Sequence, residues 1–265
     1  MWSIEPPGVL QGPVRSSDRH GLGKNLIASV LLATLAAGSA HAQQNFFNVP
    51  SSEITPKGKL FFQQQLNVAE THQQSSTTLD LGLGRNFEVG MNYAGLSIID
   101  DRKAHPIFND SVRSYNPFLL VNAQKRMELG EHLAVALGGQ FGVTTTLHVR
   151  NGGLVYCNMV YHNDAFGLKA VAGPYYASSS YFGEGTRLFN DLIGLQAGFE
   201  KSIVHERLVL QTDFISGTHD LGEIVPGAAW YLTHHWILSA GYQVPTFGSS
   251  SIHSLVFEIT YSPPH

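Results

Sequence analysis

The stretch that decides the fold lies at residues 76 to 95 and reads Ser-Thr-Thr-Leu-Asp-Leu-Gly-Leu-Gly-Arg-Asn-Phe-Glu-Val-Gly-Met-Asn-Tyr-Ala-Gly. Bulky or apolar side chains occupy every second position on both sides of Arg85-Asn86. Successive side chains of a strand point to opposite faces of a sheet, so the pattern predicts two strands joined by a tight turn. One face of this pair is apolar, and the other is polar or glycine.

The same period of two recurs along the chain and predicts twelve strands. No segment after residue 42 shows a convincing helical period. Most of the strands are long enough to cross a bilayer, which takes about 9–11 tilted residues. Short connections alternate with longer ones, as they do in outer-membrane barrels. The predicted strands are 59–68, 76–84, 87–97, 117–127, 133–144, 152–162, 166–177, 192–202, 207–216, 223–232, 236–245 and 252–261.

A sheet in lipid must pair every backbone N–H and C=O group, so it has to close on itself. The sequence therefore predicts an all-β fold, a closed antiparallel transmembrane β-barrel of about 12 strands with short periplasmic turns and longer outer loops. We expect Leu81 to face lipid near the bilayer midplane and Gly82 to face the lumen. Replacement of Leu81 by arginine should then cost about 2–4 kcal/mol, and polar changes on the inner face should be milder.

The N-terminus indicates secretion. Three basic residues precede an apolar run at 25–40, and an A-x-A cleavage site ends at Ala42. A membrane-anchoring helix is the alternative, but the run is shorter than the ~20 residues that a span needs. The chain is expected to divide into a cleaved signal peptide at 1–42, a periplasmic N-terminal segment at 43–58 and the outer-membrane barrel at 59–265.

Composition excludes several classes of protein. Charged residues make up only 14% of the chain, against about 25% in ordinary soluble proteins. A net charge of −4 without a basic block argues against a nucleic-acid partner. Cys157 is the single cysteine, which excludes a disulfide-linked scaffold. Because 43% of the residues are hydrophobic, a disordered chain is also disfavoured.

Two features resemble known outer-membrane proteins. The last strand, Leu255-x-Phe257-x-Ile259-x-Tyr261, resembles the C-terminal assembly signal of bacterial outer-membrane proteins, although four residues follow it. Residues 48–59, 213–217 and 227–233 are similar to a large family of small outer-membrane barrels, some of them described as transporters of the MetA pathway of phenol degradation. The resemblance implies the bacterial outer membrane, the barrel-assembly machinery as a partner during biogenesis, and passage of small organic molecules. It carries no catalytic residues.

The sequence offers little for catalysis. It contains no G-x-S-x-G, H-E-x-x-H or C-x-x-C motif. A lipid-active enzyme would need a serine and a histidine together, for which His148 and His253-Ser254 are the candidates. The rings of His234 and His235 should diverge, because adjacent residues of a turn point apart. We therefore expect no enzyme activity, no cofactor and no metal site.

The function we expect is a porin-like channel, surrounded by outer-membrane lipid, for passive passage of an unidentified small molecule. The alternatives are a structural or adhesive barrel with a filled lumen and, third, a lipid-active enzyme. Whether a long loop at 98–116 or 178–191 folds inward is left open. Five acidic lumen residues against Lys169 predict weak cation selectivity. The predicted pore-lining residues are Gln63, Gln65, Asn67, Asp80, Glu88, Asn92, Gln140, Lys169, Gln196, Glu200, Gln211, Asp213, Gln243 and Glu258.

Overall fold

The structure is a computed structural model, and the expected signal peptide at 1–42 lies outside the residues it describes. Within the described residues no helix is both long and apolar enough to span a membrane. The described residues are 45–70, 72–99, 105–107, 117–145, 149–182, 192–205 and 207–264.

The described chain forms a closed antiparallel β-barrel, as the sequence predicts. Each long strand pairs with its neighbours along the chain, and β1 also pairs with β13, which closes a barrel of twelve strands, β1–β3 and β5–β13. The three-residue strand β4 pairs with β3 beyond this wall. The strands are β1 Leu60–Val68, β2 His72–Gly82, β3 Phe87–Ile99, β4 His105–Ile107, β5 Phe118–Glu128, β6 Leu133–Thr144, β7 Asn151–Asn163, β8 Leu168–Ala177, β9 Ile193–Val204, β10 Leu208–Ile215, β11 Glu223–Tyr231, β12 Trp236–Pro245 and β13 Ser254–Tyr261.

The largest error in the predicted strands is at the start of β2. We expected residues 69–75 to form a long connection, but β2 begins at His72 and only residues 69–71 connect it to β1. Residues 73–76 are polar on both faces, so they show no hydrophobic alternation. Their backbone still pairs with β1, and Gln73 lies opposite Val68. Pairing here is set by the backbone and not by an apolar face.

The turn between β2 and β3 is as tight as predicted. Arg85 and Asn86 both have φ of 55°, in the left-handed region. The backbone N–H of Phe87 donates to the carbonyl of Gly84 at 3.2 Å. Two central residues with positive φ match the twist of a hairpin, which is why this turn type joins antiparallel strands so often.

The outward direction of Leu81 is confirmed, but its predicted depth is wrong. Leu81 is 36% exposed on the outer face. It lies opposite Leu60, the first residue of β1, and therefore at the short-turn rim of the barrel. Tyr261, the last residue of β13, lies opposite Phe62, two residues further from this rim than Leu60. Val121 also points outward and is 62% exposed. Its backbone pairs with both adjacent strands, and it lies nearer the middle of the wall.

Candidate functional site

The described part of the N-terminal segment, residues 45–58, lies inside the barrel and contacts its wall. The sequence predicts a periplasmic position for 43–58, whereas the described residues of this segment contact the inner wall. The chain reverses at Gly58, where φ is 73°, a conformation that glycine adopts without a steric penalty. The backbone N–H of Gly58 donates to the carbonyl of Gly82 at 2.7 Å, and Lys59 donates to Pro56 at 3.0 Å. This turn directs the residues before β1 back into the lumen.

Asp213 on β10 holds the first part of the segment. Its Oδ2 accepts hydrogen bonds from three consecutive backbone N–H groups, those of Phe47 at 3.1 Å, Asn48 at 2.5 Å and Val49 at 2.9 Å. Hydrogen bonds to an ionised carboxylate are about twice as strong as neutral ones. Gln211 on the same strand donates to the carbonyl of Phe46 at 3.0 Å. One strand of the wall therefore satisfies one C=O and three N–H groups, which belong to three successive peptide units of the segment.

Inward glycines make room for two aromatic side chains of the segment. Phe46 and Phe47 are 0% and 1% exposed. A Cβ at Gly198 would lie 2.1 Å from the ring of Phe46, and one at Gly241 would lie 2.7 Å from the ring of Phe47. Gly227 is equally constrained, with the Phe47 ring at 2.6 Å. These inward glycines leave spaces that the segment fills.

The same explanation applies to Gly82, where we expected inward changes to be mild. A Cβ at Gly82 would lie 2.1 Å from the carbonyl oxygen of Thr55 and 2.2 Å from that of Pro56. Backbone atoms cannot move as easily as the end of a side chain. A side chain at Gly82 would therefore displace the segment, although the residue faces inward as predicted.

Glu53 binds the second part of the segment to two cations of the wall. Its Oε1 lies 3.2 Å from Nη1 of Arg126 on β5 and 3.2 Å from Nζ of Lys169 on β8. Burial alone would raise the pKa of the Glu53 carboxyl, but these two cations outweigh burial and hold the pKa below its ordinary 4.5. Nearby, Glu88 accepts the backbone N–H of Thr55 at 2.7 Å.

Acid should weaken this ionic anchor. Because the pKa of Glu53 is lowered, its contribution is complete above pH 4.5 and is lost as the pH falls through the lowered pKa. The titratable and charged groups around it are Arg126, Lys169, Glu200 and His162. We expect the protection of the amides of residues 51–55 against hydrogen exchange, corrected for intrinsic rates, to fall below pH 4.5.

In Glu53→Gln the protection of these amides should already be weak at neutral pH. Acid should then lower it little further. Glu128→Gln is the matched control, because it removes an exposed carboxylate that lies 2.7 Å from the same guanidinium. An unchanged pH profile in Glu53→Gln would contradict the assignment of this anchor.

Residues 178–182, at the start of a predicted long loop, also fold inward. Phe182 is 2% exposed, and its ring stacks on His219 at a centroid distance of 3.6 Å. His219 contacts the hydroxyl of Tyr175 at 2.7 Å. Gln140 donates to the hydroxyl of Tyr181 at 2.5 Å, and burial raises the pKa of Tyr181 to about 12. The rest of this loop and most of 98–116 lie outside the described residues.

A cavity of about 310 Å³ remains between the N-terminal segment and the inward part of this loop. Asn48 and Pro50 line it from the segment, and Tyr181 and Phe182 line it from the loop. Its wall is rich in amides and hydroxyls, with a smaller number of aromatic rings. Its volume is near the lower end of the range that holds small-molecule ligands, about 300–1,000 Å³.

All fourteen residues predicted to line a pore face the interior, in two groups. Six of them are buried beside the segment or elsewhere on the inner wall and do not line the cavity; these are Gln63, Lys169, Glu200, Gln211, Asp213 and Glu258. The other eight line the cavity: Gln65, Asn67, Asp80, Glu88, Asn92, Gln140, Gln196 and Gln243. Their role in permeation stays a prediction.

Several interior residues escaped the sequence prediction. Asn122, Gln124 and Arg126 occupy alternate inward positions of β5. The polar side chains at every second position of this strand could have identified its inward face. Glu223, 1% exposed at the start of β11, was not predicted because it begins a strand next to a loop. Glu53 lies in a segment without hydrophobic alternation, so no sequence pattern indicated that it contacts the wall.

The two described candidates for chemistry, His253 and Ser254, are not brought together. His253 is exposed on the outside, whereas Ser254 is only 3% exposed. The two side chains therefore point to opposite faces of the wall. His148 lies outside the described residues. In the described ranges no group of three or more His, Cys, Asp or Glu side chains could hold a metal ion.

Comparison with known proteins gives structural similarity without sequence similarity. No protein-family model and no curated protein matches this chain. The NanC porin is 10% identical with a TM-score of 0.49, covering 78% of this chain and 100% of its own. Outer membrane phospholipase A from Escherichia coli is 11% identical (TM-score 0.44, 76% and 90% covered). The translocator domain of the autotransporter NalP from Neisseria meningitidis is 14% identical (0.39, 91% and 95%).

The class of protein follows from the structure itself. The strand pairing closes without an edge, and the outer face carries exposed leucine, valine, phenylalanine and methionine side chains. A closed antiparallel barrel with an apolar exterior and a polar interior is the β-structure that spans a membrane. The chain is a transmembrane β-barrel.

Proposed function

We propose that this barrel is a porin-like channel for small molecules and that its own N-terminal segment holds it closed. The observation that carries the proposal is the attachment of the segment. The segment is covalently joined to the wall through β1, and elsewhere its contacts with the wall are noncovalent: the hydrogen bonds of Asp213, the ion pairs of Glu53 and the packing of Phe46 and Phe47. Noncovalent contacts can be broken while the strand pairing stays intact, so the segment can leave the lumen.

Two further features support a channel. The inner wall carries glycines and amides, so departure of the segment would expose a polar lumen. The cavity on the long-loop side already provides space for a small solute. The similarity of residues 48–59 to transporters of the MetA pathway of phenol degradation suggests small organic molecules as permeants. We expect outer-membrane lipid and the barrel-assembly machinery as the partners of the chain.

A structural or adhesive barrel with a filled lumen is the second candidate. The favouring observation is the number of anchors, which extend from Glu88 on β3 to Asp213 on β10. A segment bound this firmly could serve only to fill the barrel. A lipid-active enzyme is a third proposal, and the opposite orientations of His253 and Ser254 do not favour it.

Conductance in a planar lipid bilayer separates the channel from the filled barrel. We expect the mature chain to be mostly closed and a chain lacking residues 43–55 to show stable open steps. A synthetic peptide of residues 43–58 should close the shortened channel, and a scrambled peptide of the same composition should not. Heat-modifiable migration on a gel confirms that the shortened barrel has folded.

A folded, shortened barrel without conductance would refute the channel and favour the structural barrel. If the shortened chain fails to fold, Glu53→Gln and Asp213→Asn keep the test valid. Both should raise the open fraction of the full mature chain, because each weakens an anchor of the segment without removing a residue from it or the wall.

A further inference from the structure

The cavity is lined by more acidic than basic side chains. Four carboxylates line it, those of Asp80, Glu88, Asp220 and Glu223. Arg150 is the cationic side chain that lines the described cavity. A concave surface of one sign raises the local concentration of the opposite charge. The cavity is therefore suited to a cationic solute.

Asp80 differs from the other buried carboxylates of this cavity. Glu88 accepts hydrogen bonds from the Thr55 backbone N–H and from Gln124 at 3.2 Å. Glu223 accepts hydrogen bonds from Asn48 and Ser251, both at 2.7 Å. Asp80 is 6% exposed, and within the described chain its hydrogen-bonding partner is Asn122 alone, at 2.9 Å to Oδ1. Its second oxygen is left to the cavity.

A chain of amides leads from Asp80 to the inward loop. Nδ2 of Asn122 donates to Asp80 and also to Asn92 at 3.1 Å. Asn92 in turn donates to Gln140 at 2.5 Å, and Gln140 donates to the hydroxyl of Tyr181. Both amide hydrogens of Asn122 are therefore engaged. The group that remains available beside it is the carboxylate of Asp80, which accepts hydrogen bonds from a donor.

Gly90 makes this position possible. A Cβ at Gly90 would lie 1.9 Å from Oδ1 of Asp80 and 2.9 Å from Oδ1 of Asn122. Without a side chain there, the carboxylate can lie against the wall of β3 and still face the cavity. The glycine therefore keeps Asp80 next to Asn122 and leaves the cavity open in front of it.

Aromatic rings complete the surroundings. Phe118, Tyr156, Tyr181 and Phe182 line the same cavity as Asp80. The centroids of Phe118 and Tyr181 lie 6.1 Å apart, and those of Tyr181 and Phe182 lie 5.6 Å apart. Aromatic faces attract cations and also contact apolar groups. This combination fits a ligand with one positive charge and an apolar body.

We infer that the cavity is a binding site for a small organic ammonium ion, with the Asp80 carboxylate as its charged partner. The inference gives the proposed channel a class of solute. Its test measures binding to the purified barrel and not conductance, so a failure here would be distinct from a failure of the channel proposal.

The test is calorimetric titration of the mature chain in detergent with three probes of nearly equal shape. These probes are phenethylammonium, neutral 2-phenylethanol and anionic phenylacetate. We expect phenethylammonium to bind most tightly. Asp80→Asn, which keeps the shape of the side chain, should weaken its binding about tenfold or more, since a hydrogen bond to an ionised group is lost. Asp164→Asn, the same change at an exposed turn far from the cavity, should leave it unchanged.

Preferential binding of phenethylammonium that depends on Asp80 supports the site. Equal or tighter binding of 2-phenylethanol would overturn it and indicate a neutral solute. An Asp80→Asn protein that binds the ammonium as tightly as the parent would also overturn it. The comparison of the three probes on the parent protein needs no variant, so it stands even if Asp80→Asn does not fold.

Discussion

Replacing Asp213 by alanine should release residues 46–49 from the barrel wall while the barrel stays folded. The carboxylate accepts three consecutive backbone N–H groups of the segment. Hydrogen bonds to a charged group contribute about 1.5–3 kcal/mol each and are not additive, so we expect a loss of roughly 2–4 kcal/mol in the binding of the segment. The cost of burying Asp213, which is 2% exposed, keeps this value below the simple sum.

The measurement is hydrogen exchange of residues 45–50 in the folded barrel. A loss of this size corresponds to roughly 30- to 1,000-fold faster exchange, since 1.4 kcal/mol is a factor of ten. Exchange in the long strands should not change, because their pairing does not involve Asp213. The matched control is Asp80→Ala, which removes another buried wall carboxylate, one that accepts its hydrogen bond from Asn122 on β5. Unchanged protection in Asp213→Ala would show that the segment is held by other contacts.

The second large effect concerns the lipid-facing surface. Val121→Arg should destabilise the barrel by about 2–4 kcal/mol, because an arginine near the bilayer midplane must be taken out of water. Val121 faces outward in β5, opposite Met91 on β3 and Phe141 on β6. Reversible unfolding in lipid vesicles, followed by heat-modifiable migration, measures the change.

Leu81→Arg is the matched control for depth, since Leu81 also faces outward but lies at the short-turn rim opposite Leu60. Its cost should be about 0–1 kcal/mol, the value found near the interfaces. Equal costs at both positions would place the membrane at a different height on the barrel. Little cost at Val121 and a large cost at Leu81 would reverse the depth assignment.

The strands and their faces could be predicted because each is a local property. Leu79 and Leu81 alternate with Asp80 and Gly82, and strand geometry alone sends them to opposite faces. Closure of the sheet could be predicted because a backbone N–H or C=O group in lipid has to be paired within the protein. The period of two thus predicted the inward direction of lumen residues on clearly alternating strands, such as Asp80 and Asp213. The alternation failed at Gln73–Ser76, where both faces are polar and only backbone pairing defines the strand.

The contents of the lumen were decided by the tertiary structure alone. Residues 45–58 have no period, and the partners of Phe47, Asn48 and Val49 are separated from them by 164 to 166 residues. No local pattern encodes a contact at that distance in sequence. The inward glycines were visible, but a glycine in a strand is equally a bend, a bulge or a space for another group. Only the closed barrel brings Gly198 and Gly241 next to Phe46 and Phe47, because closure places β9 and β12 around the same interior that the chain before β1 re-enters.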